Sequence, residues 1–598
     1  MKKRQFLTTA ASGTAWAAVA SSALLSACTT AAVGESQTQS QAQAPAQGAT
    51  RPGQAEQIYF GGPILTMNDA QRQVQALAVA GGLILAVGTR DEIFALRGTE
   101  TRMVDLQGHT LIPGFVDPHS HLGGVGLQAI SANLLPPPDG RNASIAQLQQ
   151  TLREYLKTSP EVKSLGMAFG FGYDDSQLKE QRHPTRADLD AVSKTVPIVA
   201  IHQSGHFGAL NSAALAKAGI GAATPNPEGG VIRRKKGSNQ PDGVLEENAF
   251  FHSLAKIMPR LTQEQSIQWL EKAQQLYLQF GYTTVQDGRA DPGAVATAIA
   301  AAEAGRLLVD VVSYPDILQM GEGAFMRGPY YGRSYKHNLR IGGVKLTLDG
   351  SPQGKTAWLT QPYLVPPHGQ KPGYRGYGAL SDAQANAQVA KAISNGWQIL
   401  VHANGDAAID QFIRAVRASG PVDKARAVRP VLIHGQTLRR DQIPQLKELG
   451  IVPSLFPMHT FYWGDWHRDS VLGNERAQNI SPTGWVLQQG MRFTSHHDAP
   501  VALPSSLRVL DATVHRTTRS GKLLGAEHRV SPWVALQAQT IWSAWQYFEE
   551  ERKGSLEAGK LADLVILSDN PLTVERHQLA HLKVLETIKQ GRSLYRAP

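Results

Sequence analysis

Residues 111–121 read Leu-Ile-Pro-Gly-Phe-Val-Asp-Pro-His-Ser-His, an apolar run that ends in two histidines. The run predicts a buried β-strand, and the polar residues that follow predict its carboxyl end. In an extended strand end, residues i and i+2 point to the same side, so His119 and His121 can reach one metal ion. A His-x-His pair is common by chance, and a surface loop is the alternative interpretation. The position directly after an apolar strand favours metal ligation.

Seven further apolar runs follow this strand and alternate with stretches of helical pattern. Such alternation is typical of βα units that build a parallel sheet. The eight predicted strands are 111–116, 283–286, 309–313, 341–346, 398–402, 431–434, 451–455 and 492–495. Eight parallel strands predict an α/β fold of the TIM-barrel type, in which chemistry takes place at the carboxyl ends of the strands.

The segments outside the predicted barrel have a different pattern. Short apolar runs broken by glycine at both ends of the chain predict a small β-sandwich domain, built from 56–110 and 553–598. The barrel domain is expected at 111–552. Its first two strands are separated by roughly 150 residues, far more than the usual loops of about 2–6 residues. We therefore expect an inserted subdomain at 130–280, over the mouth of the barrel, with strand-like stretches at 164–172 and 197–202.

The first 28 residues have the pattern of an export signal, because positive residues precede a short, weakly apolar stretch. That stretch is too short and too polar to predict a transmembrane helix. Leu25-Ser26-Ala27-Cys28 resembles a bacterial lipobox, which implies a lipidated Cys28; the alternative is a cysteine that is removed with the signal. Residues 29–55 are polar and predict a flexible tether. We expect an exported protein, periplasmic or in the cell envelope, whose membrane contact is a lipid anchor.

The composition narrows the chemistry. The chain has 598 residues, 19 His, one Cys and 59 Lys+Arg against 49 Asp+Glu, a net charge of +10. A single cysteine excludes an internal disulfide framework, a Cys-x-x-Cys redox pair and a cysteine-based zinc finger, so a metal site must use His and carboxylates. The basic run at 233–236 favours a solvated hairpin tip over a nucleic-acid contact. No nucleic-acid partner is therefore expected.

Four other polar residues stand at the ends of predicted strands or inside them. Lys345 lies in an apolar strand. Burial of an ammonium group is costly, so its pKa should fall or the amine be modified, for example to a carbamate that bridges two metals. Pairing of Lys345 with Asp349 is the alternative. His402 and His434 end consecutive strands, and each alone reads as a satisfied core residue. Asp498 follows the last strand, where a turn or helix-cap role is the alternative.

Taken together, these motifs resemble the metal-dependent amidohydrolase superfamily, in its YtcJ-like or N-substituted formamide deformylase-like branch. The resemblance covers about residues 57–594. The stretches that carry it are 114–121, 344–351, 401–408, 433–436 and 498–501.

The resemblance implies a set of functional residues. It implies that one or two divalent ions, expected to be zinc, are held by His119, His121, N-carboxylated Lys345, His402, His434 and Asp498. Asp498 is also implied to be catalytic, and His206 to contact substrate or a developing oxyanion, with a structural histidine as the alternative. Many relatives have Gly-Ser before the catalytic Asp, where this chain has His496 and His497. These two are expected to support the ligands or to contact substrate, with additional metal ligation as the alternative.

The expected reaction is hydrolysis of an amide or other non-peptide C–N bond by a metal-bound hydroxide, with Asp498 exchanging the proton. The aromatic stretch 457–467 is predicted to be a loop whose His459 and Trp463 either face a small-molecule substrate or hold the insertion in place. Two other functions stay open, namely a non-catalytic exported ligand-binding or regulatory lipoprotein, and deaminase, lactonase or decarboxylase chemistry at the same site. The oligomeric state is open, with a homodimer as one option.

Overall fold

The structure is a computed structural model that describes residues 53–205, 207–227, 230–321, 323–367 and 370–598. The predicted export signal, Cys28 and nearly all of the tether lie outside the described residues, as does His206. Within these described ranges, no helix is long and apolar enough to cross a membrane.

The described part contains strands along its whole length. In chain order they are β1 Ala55–Leu65, β2 Gln73–Ala80, β3 Leu83–Gly88, β4 Arg97–Asp105, β5 Thr110–Pro113, β6 Phe115–Val116, β7 Ala132–Asn133, β8 Ala168–Tyr173, β9 Ile198–His202, β10 Phe207–Leu210, β11 Gly230–Arg234, β12 Pro241–Glu247, β13 Tyr282–Ala290, β14 Asp310–Pro315, β15 Leu339–Ile341, β16 Gly343–Thr347, β17 Gln398–Ala403, β18 Val431–His434, β19 Val452–Leu455, β20 Thr494–Ser495, β21 Leu564–Leu567, β22 Val584–Lys589 and β23 Arg592–Arg596.

Helices connect most of these strands. The α-helices are α1 Arg90–Phe94, α2 Leu122–Ala129, α3 Ile145–Thr158, α4 Pro160–Leu165, α5 Arg186–Asp190, α6 Ser212–Ala218, α7 Asn248–Ile257, α8 Gln263–Gln279, α9 Pro292–Glu303, α10 Asp382–Ser394, α11 Asp406–Ala418, α12 Val422–Val428, α13 Ile443–Leu449, α14 Met458–Trp466, α15 Asn474–Ala477, α16 Thr483–Gln488, α17 Ser506–His515, α18 Pro532–Gln537 and α19 Ile541–Gln546. Short 3₁₀ turns cover Ala324–Arg327, Ala526–His528 and Arg576–His581, and a π-helical turn covers His467–Val471.

Two parallel sheets occupy the middle of the chain. One has the order β15-β14-β13-β6 and the other the order β16-β17-β18-β19-β20. Only Gly342 separates β15 from β16, and a parallel bridge joins Asp316 to Lys345, so one sheet continues into the other. Each of the eight predicted strands overlaps an observed one.

The prediction of a single strand at 111–116 was wrong, because two separate strands, β5 and β6, meet at Gly114. The part before Gly114, β5, pairs with β21, and the part after it, β6, pairs with β13. A side chain at position 114 would overlap Thr283, so the glycine allows this close approach. The same short stretch therefore belongs to two sheets.

The two parallel sheets enclose a shared apolar core. Val116 of the first sheet and Leu400 and Ile433 of the second belong to one buried cluster with Tyr547. Hydrogen bonds do not run between β6 and β20 directly; the N–H groups of Val116 and Ser495 donate to the backbone carbonyls of residues 539 and 538. The described strands thus form two parallel sheets around one core, and their backbone hydrogen bonds do not close into a complete barrel.

The segment between β6 and β13 forms a mixed sheet of its own, with the order β11-β12-β10-β9-β8-β7. Its core contains Phe169, Val199 and Phe250. The strand expected at 164–172 was misplaced, because Pro160–Leu165 is helical and the strand begins at Ala168. Proline in the first turn and Gly166 after the last explain that helix. Half of the basic run lies at the predicted hairpin tip: Lys235 and Lys236 are exposed between β11 and β12, whereas Arg233 and Arg234 end β11.

Strands from both chain ends form one eight-stranded sheet, ordered β23-β22-β21-β5-β1-β2-β3, with β4 also paired to β1. Strand β1 contains an irregularity between Phe60 and Ile64 and pairs with β2, β4 and β5 in turn. The sheet therefore branches at β1, and hydrogen bonds do not divide it into the two separate sheets expected of a sandwich. The predicted domain boundaries stay predictions.

Candidate metal centre

The predicted ligands come together at the carboxyl ends of the parallel strands. His119 and His121 follow β6, Lys345 lies in β16, His402 is the last residue but one of β17, and His434 is the last residue of β18. Asp498 follows β20. Since parallel strands end at the same edge, six residues from distant parts of the sequence share one place.

Three donor atoms converge most closely. Asp498 Oδ1 lies 3.2 Å from His121 Nε2 and 3.4 Å from His119 Nε2. One donor atom from each residue fits within a group 4.8 Å across. Asp498 Oδ1 is buried and has no aligned hydrogen-bond donor among the described residues. An acceptor surrounded by imidazole nitrogens without a hydrogen bond is the arrangement expected of ligands that face a common cation.

Lys345 extends this group. Its Nζ lies 2.9 Å from His119 Nε2, and the residue is 1% exposed. Burial lowers the pKa of the Lys345 amine to about 7, because the apolar surroundings disfavour the ammonium form. A substantial fraction of the amine is therefore uncharged at neutral pH and able to act as a nucleophile.

A chain of imidazoles completes the centre. His402 Nδ1 lies 3.0 Å from His434 Nε2, and His434 Nδ1 lies 3.0 Å from His496 Nε2. His496 Nδ1 is 3.0 Å from the Ser454 hydroxyl. His434 Nε2 is 4.0 Å from Asp498 Oδ2. His496 therefore contacts a predicted ligand and positions its ring.

Gln286 fixes the ring of His119. His119 Nδ1 lies 2.6 Å from Gln286 Oε1, an oxygen that only accepts, so the proton is on Nδ1 and the Nε2 lone pair faces the centre. Gln286 is held in turn because its Nε2 donates to the carbonyl of Pro118 at 2.9 Å. Asp117 accepts hydrogen bonds from His119 N–H and Ser120 Oγ. Sequence reasoning missed both residues. An amide within a strand, such as Gln286, gives no signal of its own, and Asp117 was given no role although it lies in the stretch 114–121.

The charges favour a bound cation. Burial lowers the pKa of His402 to about 3 and the pKa of His119 and His434 well below the ordinary value. The rings are therefore neutral at pH 7 and keep lone pairs for a metal. Neutral imidazoles, one carboxylate and an uncharged amine form a donor set that zinc and similar ions accept. The residues present fit the metal that the sequence predicted.

Two of these residues have strained backbones. His434 has φ +75° and Asp498 has φ +55°, values that non-glycine residues rarely adopt. Such conformations cost of order 1–3 kcal/mol each and concentrate at functional sites. In this chain they turn two side chains inward at the ends of β18 and β20.

The other predicted residues take different places. His497 is fully buried, accepts the N–H of Ala499 at 3.0 Å and lies 3.5 Å from Asp117 Oδ1, away from the cavity wall. His459 does line the cavity, with His467 Nε2 3.0 Å from its Nδ1. Trp463 packs on the His459 ring at a centroid distance of 4.6 Å. His206 lies outside the described residues, so its role stays a prediction.

The prediction that 457–467 is a loop was wrong. Residues Met458–Trp466 form a helix, followed by the π-helical turn that begins at His467. Aromatic side chains of this helix, including Tyr462, pack in a buried cluster with Phe456 and Met458. Packing against the rest of the molecule therefore decides the structure of a segment whose composition resembles a loop.

An open cavity leads to the centre. Five predicted ligands line it, namely His121, Lys345, His402, His434 and Asp498. Gln203 and Ser204 from the inserted sheet also line it, so the insertion forms part of the wall.

Comparisons with known proteins agree with this geometry. Residues 102–595 match the amidohydrolase family. The chain is 28% identical to an N-substituted formamide deformylase of Arthrobacter pascens over 542 residues, which cover 88% of this chain and 96% of that protein. It is 26% identical to the putative amidohydrolase YtcJ of Bacillus subtilis (strain 168) over 553 residues, 90% of this chain and 99% of that protein.

A solved structure shares the fold. An uncharacterized metal-dependent hydrolase of Pyrococcus horikoshii OT3 superposes with a TM-score of 0.68 at 24% identity, covering 87% of this chain and 99% of that one. This likeness shows the fold of a metal-dependent hydrolase. Together with the family match and the cluster of candidate ligands, it supports metal-dependent hydrolysis. The chain belongs to the amidohydrolase family, in the branch of the YtcJ-like and N-substituted formamide deformylase-like proteins.

Proposed function

We propose that this protein hydrolyses an amide or another non-peptide C–N bond of a small molecule, with His119, His121, Lys345, His402, His434 and Asp498 as metal ligands. The observation that carries the proposal is the convergence of these six residues, five of which line one open cavity, while His119 contacts Lys345 and Asp498 behind its wall. The similarity to an N-substituted formamide deformylase supports a C–N bond as the target.

The residues of the chain divide the work. A divalent ion at this centre, which we propose to be zinc, would polarise the scissile carbonyl and lower the pKa of a water from about 15.7 towards roughly 7. Asp498 accepts the proton of the attacking water and returns it to the leaving nitrogen as the C–N bond breaks. The Asp498 side chain is 11% exposed, so bulk water competes little for this proton. His496 holds His434, and Gln286 holds His119.

Lys345 has a special part in the proposal. Its uncharged amine adds to carbon dioxide and loses a proton, which gives a carbamate with two oxygens able to bridge two cations. Burial supports this step because it increases the fraction of free amine at neutral pH. A carbamate also supplies negative charge that the neutral imidazoles lack.

We further propose that the parallel strands close as a TIM barrel at 111–552, with the insertion at 130–280 and a composite β-domain from 56–110 and 553–598. The apolar cluster shared by the two parallel sheets supports closure. The N-terminal sequence supports export to the cell envelope with a lipid anchor at Cys28 and no nucleic-acid partner. Replacement of Cys28 by Ser should move the protein from the membrane fraction to the soluble fraction; an unchanged distribution contradicts the anchor.

The function is tested by metal analysis and turnover on the same preparations. Wild-type protein purified without chelators should hold one or two equivalents of zinc or a similar ion and should hydrolyse members of a panel of N-substituted formamides and amides. His119→Ala and Lys345→Ala should lose both properties, because each removes a ligand.

His528→Gln is the matched control. His528 is also a buried imidazole, but it lies against Trp485 at a centroid distance of 4.8 Å and does not line the cavity. The control should keep both metal and turnover. A metal-free wild type contradicts the metal centre, and a metal-loaded wild type that leaves the whole panel intact contradicts C–N hydrolysis.

A further inference from the structure

Gln203 is an unusual residue in the cavity wall. It is 1% exposed, and neither its Oε1 nor its Nε2 has a hydrogen-bond partner among the described residues. Buried amides are nearly always paired, because leaving a donor and an acceptor unpaired is costly. Gln203 lines the same cavity as Lys345 and Asp498. A ligand in that cavity is therefore the natural partner for both ends of the amide.

The turn that carries Gln203 is held firmly. Gln203 N–H donates to the carbonyl of Tyr173 at 2.8 Å, and Gly205 N–H donates to the carbonyl of His202 at 2.9 Å. The imidazole Nδ1 of His202 accepts the N–H of Ser204 at 3.0 Å. These bonds fix the backbone on both sides of Gln203. The inserted sheet therefore determines where the Gln203 side chain starts and the direction in which it leaves the backbone.

Two carboxylates lie near the other side of the His202 ring, although its Nε2 makes no aligned hydrogen bond among the described residues. His202 Nε2 lies 3.0 Å from Asp175 Oδ1 and 3.8 Å from Asp174 Oδ1. The three residues are close enough to hold a cation. Because Nδ1 accepts the Ser204 N–H, the ring proton is on Nε2, and no lone pair remains there for an ion. This group therefore braces the turn that carries Gln203, and a second metal centre does not explain it.

We propose that Gln203 selects substrates that carry, beside the scissile bond, a carboxamide, ureido or similar group with neighbouring N–H and C=O. Its Nε2 donates to the carbonyl of that group and its Oε1 accepts the N–H, which pairs both unsatisfied atoms at once. A site built to hydrogen-bond a substrate rejects analogues that lack the matching group. This inference extends the proposed function by naming a substrate class.

A binding experiment tests the inference without any turnover. Titration calorimetry on zinc-loaded protein compares phenylacetamide, which has both donor and acceptor, with benzyl methyl ketone, which has only the acceptor. Wild type should bind the amide at least about tenfold more tightly. Gln203→Leu should abolish this preference while its zinc content is unchanged, and Gln203→Met should behave in the same way.

Gln128→Leu is the matched control. Gln128 is 9% exposed and also has both amide atoms unpaired among the described residues, but it does not line the cavity. The control should keep the preference of the wild type. Equal binding of the two compounds by the wild type, or a preference that survives in both Gln203 variants, overturns the inference.

Turnover separates this inference from the proposed function. N-formylglycinamide and N-formylisobutylamine differ only in a carboxamide that replaces an isopropyl group of similar shape. Wild type should favour the first by at least about tenfold in kcat/KM, and Gln203→Leu should remove the difference. If the whole panel and both of these compounds stay intact while the binding preference depends on Gln203, the proposed function fails and the recognition role of Gln203 stands.

Discussion

Gln286 acts on the metal centre through another residue. Its Oε1 accepts a hydrogen bond from His119 Nδ1–H, and this contact orients the ring. Outer partners of metal-bound histidines typically contribute about 10–100-fold in metal affinity or activity. We therefore expect Gln286→Leu to weaken zinc binding by about that factor, measured by competition with a chromogenic chelator.

A second glutamine provides the comparison. Gln274 is fully buried and its Nε2 donates to the backbone carbonyl of Arg306 at 3.2 Å; it neither lines the cavity nor hydrogen-bonds to a predicted ligand. Gln274→Leu should lower thermal stability and leave zinc affinity at the wild-type value. Equal zinc affinities in the wild type and Gln286→Leu would show that Gln286 has no part in orienting His119.

At the scale of elements, the first residue of strand β14, Asp310, forms buried ion pairs with two lysines. Asp310 Oδ2 binds Lys553 and lies 2.9 Å from Lys589 Nζ, and Lys589 also lies 2.9 Å from Asp563. All four residues are at most 4% exposed. Strand β14 belongs to the parallel sheets and Lys589 to the terminal sheet, so this cluster joins the two. Loss of one partner from a buried ion pair costs about 3–5 kcal/mol.

Asp310→Asn should therefore lower the melting temperature strongly at pH 7. Burial raises the pKa of Asp310, but the charges of Lys553 and Lys589 outweigh burial and lower the pKa below its ordinary value. A carboxyl group whose pKa is lowered by folding stabilises the fold fully at pH values above its unfolded-state pKa of about 3.9. That stabilisation is lost progressively as the pH falls from this value through the lower pKa of the folded state. The difference in melting temperature between the wild type and Asp310→Asn should therefore shrink below about pH 4.

Asp382→Asn supplies the control for this ion pair. Asp382 pairs with Arg414 at the surface, at 3.2 Å and 57% exposed, and such pairs contribute about 0–1 kcal/mol. Its effect on the melting temperature should be small at every pH. A difference between the wild type and Asp310→Asn that is constant from pH 7 to pH 3 contradicts the role given to the Asp310 carboxylate.

The elements also show what a sequence can predict. Strands such as β17 and β18 are mostly apolar runs with a histidine at or next to their last position, so local pattern located the strands, and the family resemblance implied that their histidines are ligands. Local pattern could not divide 111–116 between two sheets, because that division depends on β13 and β21, which are far away in the sequence. The helix at Met458–Trp466 was missed for a similar reason, since its aromatic residues are ordered by tertiary packing.

At the scale of the whole molecule, family resemblance and strand order together predicted the site. Six candidate ligands from His119 to Asp498 come together, five of them in the wall of one cavity, which local sequence pattern could only suggest. The sequence predicted an insertion over the mouth of the barrel, but it did not predict that Gln203 lines the cavity. Gln203 belongs to no sequence motif. Its proposed role rests on the observation that its amide is buried beside the cavity without a hydrogen-bond partner among the described residues. Such a property exists only after the inserted sheet has packed onto the parallel strands.

The central claim is that these six residues hold a metal at the end of the parallel strands. Crystals of zinc-loaded protein, with diffraction data collected at the zinc absorption edge, test it most directly. We expect one or two anomalous peaks in the cavity, about 2.0–2.2 Å from ligand atoms of His119, His121 and Asp498, with added density on Lys345 Nζ. A cavity with no anomalous peak, in which an unmodified Lys345 amine pairs with Asp498, would contradict it.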